Sequence, residues 1–360
     1  ALKDAGYATA HFGKWHLNGV KGPGMPILPD DPNHPGHYGF DFWLSMTNFF
    51  EMDPLMSRMG EFEYIEGESS ELMVREALKF IKEHKSKPTF SVIWYGSPHF
   101  PFQCVPADRE GFPEGKHGDH LGEIVAMDRS IGMLRQGLRD LGIEKDTLIW
   151  YTSDNGGLST DPDSTGHPQG FKGSLHEGGI RVPAIIEWPG RIKPAITDFP
   201  ASTMDIMPTI VDLLGLPRDS MLPVVDGESI AALFAGKVPE RSQPIPFTMK
   251  GTALIDGDLK LLKVGRGKGA KWALYDLAED PGEENDISAS HPERFEAMKV
   301  SAEELTASVQ ASSEGKDYPE GKVIQPQRGT PWMGMPEYQK LYPTFQKLKP
   351  TWNPPGKGRR

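Results

Sequence analysis

Two segments with apolar side chains at helical spacing alternate with two short, β-rich apolar runs. The helical segments cover residues 71–84 and 120–141, and the apolar runs that follow them cover 88–95 and 147–152. Alternating helices and strands of this kind predict a layered α/β sheet. Because ligands gather at the carboxyl ends of the strands in such sheets, the residues after each run are the first candidates for a site.

The pattern changes near residue 240, where the density of proline rises. Hairpin-like pieces at 252–264 and a helical stretch at 292–309 follow. We therefore predict an α/β/α layered domain over 1–240 and a smaller α+β domain, with an antiparallel sheet and a helix, over 241–325. The remainder, 326–360, lacks any period and is predicted to be an extended tail on the surface.

Composition narrows the class of protein. The 360 residues carry a formal net charge of −11, which argues against a nucleic acid as partner. The negative net charge does not exclude an anionic small substrate, because the electrostatic potential of the binding pocket decides whether such a substrate binds. No apolar run reaches the roughly 18 residues of a membrane span. The single cysteine, Cys104, excludes internal disulfides.

The run Gly13-Lys14-Trp15-His16 is the most informative part of the chain. In an extended segment, residues two apart lie on the same face, which would set the Lys14 ammonium beside the His16 imidazole. Gly13 would allow a close approach of backbone or ligand. On spacing alone, a solvated lysine and histidine at a strand edge are the commoner explanation.

Polar residues follow both apolar runs. Asp154 and Asn155 offer one carboxylate and one amide oxygen, the ligand type that Ca²⁺ prefers, although an isolated Asp-Asn-Gly is more often a turn. His99 lies between two prolines that would hold its imidazole rigidly, as proton donation requires, although a lone histidine beside Phe100 is more often packed. Lys172 opens a glycine-rich loop.

Together these motifs resemble the sulfatase family. Gly6-Tyr7-Ala8-Thr9 with Gly13-Lys14-Trp15-His16 is similar to its second signature, and Tyr151 to Gly157 is similar to its metal motif. The run from Phe171 to Pro183 is similar to its lysine-bearing loop, and Pro98-His99-Phe100-Pro101 to its Pro-His-x-Pro loop. Within the family, these motifs most resemble those of the arylsulfatase and N-acetylgalactosamine-6-sulfatase branch.

The resemblance implies a three-layer α/β/α alkaline-phosphatase-like sandwich with a smaller C-terminal α+β domain. It also implies a periplasmic or extracellular hydrolase of aryl or carbohydrate sulfate esters, acting on a sulfated small molecule or glycan. Lys14, His99 and Lys172 would bind the substrate and, with His16, act in catalysis. Asp154 and Asn155 would bind Ca²⁺ together with upstream aspartates, and a formylglycine would be the nucleophile.

Other residues of the lysine-bearing loop match the family motif in a structural role. Glu177, Gly178, Gly179 and Arg181 are expected to fix the loop through backbone geometry and a charge pair, and His176 is expected to pack. Cys104 imitates the start of the family's Cys-x-Pro-x-Arg frame, but Asp108 stands where the arginine belongs and the order of motifs is wrong. Cys104 is therefore interpreted as an unmodified thiol.

Two alternatives remain open. Two lysines and a metal serve phosphoryl groups as well, so a phosphatase or phosphonate hydrolase of the same superfold is the enzyme alternative. A non-catalytic relative that only binds sulfated glycan is the other. Because the family's nucleophile and upstream aspartates have no counterpart here, we expect an N-terminally truncated chain that is inactive as given.

Overall fold

The computed structural model describes residues 1–50, 52–159, 166, 168–265, 269–317 and 329–352. The chain divides into two compact units, one formed by Ala1–Glu144 with Ile324–Arg360 and the other by Lys145–Val323. This division lies at residue 145, whereas the sequence predicts a boundary near 240. Each unit is described by itself.

The first unit contains a mixed sheet. The strands in the first part of this unit are β1 (Ala8–Lys14), β2 (Val20–Lys21), β3 (Phe42–Met46), β4 (Leu55–Arg58), β5 (Glu61–Tyr64) and β6 (Thr89–Trp94). Five of them form one sheet in the order β5-β4-β3-β1-β6, in which β3, β1 and β6 are parallel and β4 and β5 continue antiparallel. The apolar run at 88–95 is thus a strand, as predicted.

Two helices cover this sheet. They are α1 (Ser69–Glu83) and α2 (Lys116–Asp140), both predicted from their apolar spacing. Helix α1 packs on β1 and β6, and α2 packs on α1. Strand β1 is buried along almost its whole length, with Ala10 and Phe12 fully inaccessible, because parallel strands at the centre of a sheet are covered on both faces.

Residues 329–352, which we name the C-terminal strap, also belong to the first unit. A further strand, β13 (Thr330–Pro331), pairs with β2, and two short helices, α7 (Pro336–Gln339) and α8 (Tyr342–Leu348), follow it. The sequence predicts an extended tail over 326–360, whereas this part of it folds. The reason is long-range: its aromatic residues pack on side chains near the start of the chain, so their burial left no local period to detect.

The second unit holds two separate sheets. Strands β7 (Ile149–Thr152) and β8 (Ala184–Glu187) form an antiparallel pair. The other sheet, in the order β12-β11-β10-β9, is antiparallel and consists of β9 (Ile245–Thr248), β10 (Thr252–Asp256), β11 (Leu259–Val264) and β12 (Lys271–Asp276). The run at 147–152 forms a strand as predicted, but among the described residues its hydrogen bonds go to β8 rather than to β6.

Helices of the second unit are α3 (Glu177–Ile180), α4 (Ile206–Leu213), α5 (Ala231–Phe234) and α6 (Pro292–Ser313). Helix α6 places Met298 and Ala302 against Leu254, Leu261 and Leu274 of the antiparallel sheet. This sheet with its helix matches the predicted α+β part. The α/β fold class is confirmed. Among the described residues, no helix combines the length and the apolar character that a membrane crossing needs.

Candidate active site

The carboxyl ends of β1, β3 and β6 meet at one edge of the sheet in the first unit. Lys14 closes β1 and pairs with Met46, the last residue of β3. Gly13 pairs with Trp94, the last residue of β6. Parallel strands bring such ends together, which explains how residues distant in sequence reach the same edge.

Gly13 is required at this edge. Its φ is +98°, and a Cβ at this position would lie 2.0 Å from the carbonyl oxygen of Trp94. Only glycine tolerates both the conformation and the close approach. The close approach expected at Gly13 is therefore made by the backbone of β6.

The chain leaves the strand at Lys14, so the extended geometry predicted for Lys14 and His16 does not hold. Trp15 turns inward, is 2% exposed, and donates from Nε1 to the carbonyl oxygen of Asn33 at 2.6 Å. His16 follows with a φ of +49°, and its amide donates to the carbonyl oxygen of Thr47 at 3.0 Å. The His16 side chain is exposed at the surface.

His99 is held on two sides. Its ring stacks on Phe49 with centroids 4.3 Å apart and planes 12° apart. Its Nδ1 lies 2.7 Å from the carbonyl oxygen of Phe100, so this nitrogen is the donor. With Nδ1 bonded to a carbonyl, Nε2 remains the nitrogen that can exchange a proton with a ligand.

The segment 46–50 connects these residues. It receives the backbone bonds of Trp15 and His16, and Phe49 supplies the face on which His99 stacks. Phe50, the last residue of this segment, packs against Gly96: a Cβ on Gly96 would lie 2.1 Å from the carbonyl oxygen of Phe50. The first unit thus gathers Lys14, His16 and His99 around one loop. No sequence motif marked this segment.

His11, two residues before Gly13 on β1, is another residue that no sequence motif marked. It is fully buried among Trp15, Trp94 and Phe40, with ring centroids 4.9, 4.9 and 5.5 Å away. Its Nδ1 shares a hydrogen bond of 2.7 Å with Ser45 Oγ, while Nε2 finds no hydrogen-bond partner among the described residues. Burial lowers the pKa of His11 to about 3, so the imidazole is neutral.

The second unit brings together Asp154, Asn155 and Lys172. Asp154 and Asn155 follow β7 after one intervening residue, Ser153, and the amide of Lys172 donates to the carbonyl oxygen of Gly157 at 2.8 Å. The Asn155 side chain donates from Nδ2 to the carbonyl oxygen of Gly156 at 3.0 Å. Positions 160–165 and 167, between Asn155 and Lys172, lie outside the described residues. Convergence of all six predicted residues on one cleft stays a prediction.

These residues do not by themselves assemble a Ca²⁺ site. Asp154 and Asn155 provide two adjacent oxygen donors, whereas Ca²⁺ takes about six to eight. Across the described ranges, no cluster of three or more His, Cys, Asp or Glu side chains has the geometry to hold a metal ion. The two donors therefore form at most part of a site.

Cys104 lies in an environment that suppresses its reactivity. Burial first, and then the carboxylates of Asp119, Asp108 and Glu123, raise the pKa of its thiol. Asp108 itself is buried and accepts from Arg129 Nη2 at 2.8 Å. The residue in the place of the family's arginine is therefore committed to an ion pair in the fold, which agrees with the interpretation of Cys104 as an ordinary thiol.

Comparison with known proteins identifies the class. The sulfatase family model matches residues 1–216, more than half of the chain and the whole stretch that carries the six predicted residues. The chain belongs to the sulfatase family.

Two curated relatives give the degree of similarity. N-acetylgalactosamine-6-sulfatase of Canis lupus familiaris is 30% identical over 289 residues, 71% of this chain and 51% of the relative. Arylsulfatase A of Homo sapiens is 27% identical over 363 residues, 83% of this chain and 68% of the relative. The chain thus spans about half the length of the first of these relatives.

A solved structure supports the fold. Ps i-CgsB in complex with k-i-k-neocarrahexaose superposes with a TM-score of 0.70 at 24% identity, covering 96% of this chain and 79% of that one. The likeness supports the predicted alkaline-phosphatase-like α/β architecture.

Proposed function

We propose that the protein hydrolyses the sulfate ester of an aryl or carbohydrate substrate. The observation that carries the proposal is the family match over 1–216, which includes Lys14, His16, His99, Asp154, Asn155 and Lys172. Two relatives are named for aryl and amino-sugar sulfates. A sulfated small molecule or glycan is the corresponding ligand, and by family a periplasmic or extracellular location is proposed.

Each residue has a chemical task in this proposal. The ammonium groups of Lys14 and Lys172 neutralise charge that develops on the sulfuryl oxygens, usually the largest electrostatic contribution to such a reaction. In its doubly protonated form, His99 donates a proton or a hydrogen bond to the leaving oxygen through Nε2, since its Nδ1–H is donated to the carbonyl oxygen of Phe100. His16 assists proton transfer at the exposed end of the same segment.

Asp154 and Asn155 are proposed as two ligands of Ca²⁺, which needs further oxygen ligands beside them. The nucleophile is proposed to be a formylglycine and not Cys104, whose thiol has a raised pKa. We expect the chain of 360 residues to show weak Ca²⁺ binding by calorimetry, and Asp154→Asn to abolish what remains.

The test of function compares sulfate and phosphate esters. The complete protein is assayed with an aryl sulfate, N-acetylgalactosamine 6-sulfate and an aryl phosphate in the presence of Ca²⁺. We expect turnover of a sulfate ester, a loss of about a hundredfold in kcat/KM for Lys172→Met, and no change for the exposed control Lys193→Met. Preference for the phosphate ester would support the phosphohydrolase alternative, and binding without turnover would support the glycan-binding one.

A further inference from the structure

A buried ionic cluster lies beneath the loop that carries Lys172. Lys260, the second residue of β11, is fully inaccessible, and its Nζ lies 2.8 Å from Glu177 Oε1 and 2.8 Å from Glu283 Oε1. Glu283 Oε2 accepts from the amide of Glu177 at 2.6 Å, and His176 Nδ1 lies 3.4 Å from the same oxygen. We name these four residues the Lys260 cluster.

The cluster depends on its lysine. Glu177 and Glu283 are both buried, and two neighbouring carboxylates in such a place repel each other unless a cation lies between them. Burial by itself raises the pKa of Glu283, but His176 and Lys260 outweigh it, so the pKa of this carboxyl lies below its ordinary value. The Glu283 carboxyl is therefore held ionised by His176 and Lys260 together.

Backbone bonds connect the cluster to the candidate active site. Glu177 opens α3, and the amide of the next residue, Gly178, donates to the carbonyl oxygen of Gln169 at 2.8 Å. The carbonyl oxygen of Gly179 accepts from the amide of Gly156 at 2.9 Å. A Cβ on Gly156 would lie 1.9 Å from the carbonyl oxygen of Gly178, so the two backbones pack too closely to admit a side chain.

The same loop returns to Lys172, whose amide donates to the carbonyl oxygen of Gly157. A displacement of α3 would therefore move Lys172 and the segment after Asp154 together. We infer that Lys260 is a positioning residue for the sulfuryl-binding Lys172 and for the Asp154–Asn155 turn. The role of Lys172 in this inference rests on the proposed function.

The experiment uses Lys260→Met with a matched control, Arg241→Met. Arg241 is also a buried cation between two carboxylates of the same unit, with Nη1 2.8 Å from Asp205 Oδ2 and Nε 3.3 Å from Glu228 Oε1. Within the described part of the chain, its hydrogen bonds go to Pro200, Asp205 and Gln243 and not to the Lys172 loop. Both substitutions should lower the unfolding temperature, so stability alone does not distinguish them.

Hydrogen exchange measures the positioning directly. At a temperature where both variants are fully folded, Lys260→Met should accelerate exchange at the amides of Gly156, Lys172 and Gly178, and Arg241→Met should leave these amides unchanged. Glu283→Gln, a milder change, should give an intermediate acceleration and keeps the test valid if Lys260→Met does not fold. Equal exchange at these amides in wild type and both cluster variants would overturn the inference.

Kinetic measurements on the complete protein test whether the positioning affects activity. Lys260→Met should lower kcat/KM for a sulfate ester by at least about tenfold more than Arg241→Met does, since small misplacements of catalytic groups are costly. Lys260→Arg, which keeps the cation, should recover most of the loss. An active wild type with unchanged kcat/KM in Lys260→Met would overturn the positioning role. An inactive wild type would overturn the proposed function, and the exchange measurement would still decide the linkage between Lys260 and the loop.

Discussion

At the scale of single residues, environment separates groups of the same chemical type. Lys260 and Lys263 lie three positions apart on β11, yet Lys260 is buried in an ionic cluster and Lys263 places its ammonium over the ring of Trp272 at 4.7 Å. His11 and His16 differ in the same way, since His11 is enclosed by aromatic rings and His16 is exposed. Only the packed neighbours decide which member of each pair is buried.

The buried His11 predicts a dependence of stability on pH. Its pKa is 6.5 in the unfolded chain and about 3 in the folded one, so the unfolded state binds more protons between these values. Stability is therefore present above pH 6.5 and is lost as the pH falls towards 3. Between pH 7 and pH 5 this residue should reduce the free energy of unfolding by about 2 kcal/mol.

Urea unfolding at the two pH values checks the prediction. His11→Asn should remove this part of the pH dependence, because the side chain no longer titrates. Ser45→Ala, which removes only the hydrogen bond to His11, should retain it. An identical loss of stability in wild type and His11→Asn would contradict the assignment.

At the scale of elements, the fit between β1 and β6 depends on a position without a side chain. The two strands pair along their lengths and end together at the edge where Lys14 lies. The approach of Trp94 to Gly13 belongs to this pairing, and it fixes the direction in which the chain leaves β1. Helix periodicity and strand composition predict the elements themselves but not such a contact.

Gly13→Ala should destabilise the protein for two reasons, its positive φ and the contact with the Trp94 carbonyl. We expect a loss of about 2–4 kcal/mol. Gly39→Ala is the matched control, because Gly39 has a φ of +94° but nothing within 4 Å of an added Cβ. It should cost only about 1–2 kcal/mol, the conformational part. Equal losses in denaturant unfolding would show that the contact does not matter.

At the scale of the molecule, the first unit is closed by contacts between the beginning and the end of the chain. Trp332 Nε1 donates to the carbonyl oxygen of Pro23 at 2.9 Å across 309 positions, and the Tyr338 hydroxyl donates to that of Pro26 at 3.0 Å across 312. The C-terminal strap thereby covers the loop that follows His16.

Trp332→Ala should therefore loosen the first unit. The side chain is 3% exposed, and its truncation leaves a large cavity, so we expect a loss of about 3–5 kcal/mol and faster proteolysis within 329–352. Tyr338→Phe removes one hydroxyl from the same strap and should cost about 1 kcal/mol. If Trp332→Ala lost less stability than Tyr338→Phe, the C-terminal strap would contribute little to the stability of the first unit.

The sequence by itself determined the α/β class, the helices α1 and α2, the strands β6 and β7, and the family motifs. These features are local, because periodicity and motif spacing are written in neighbouring residues. The sequence did not predict that Glu177 pairs with Lys260. The partner of that pair lies 83 positions away and carried no signal of its own.

Tertiary structure decided the rest. It set the pairing of β7 with β8, the inward turn of Trp15 between Lys14 and His16, the stacking of His99 on Phe49, and the folding of the C-terminal strap. Each of these depends on residues that meet only after the chain folds, so no window of neighbouring residues contains them. The physical reason is that burial and hydrogen bonding are satisfied by whichever groups the fold brings into contact, not by those adjacent in sequence.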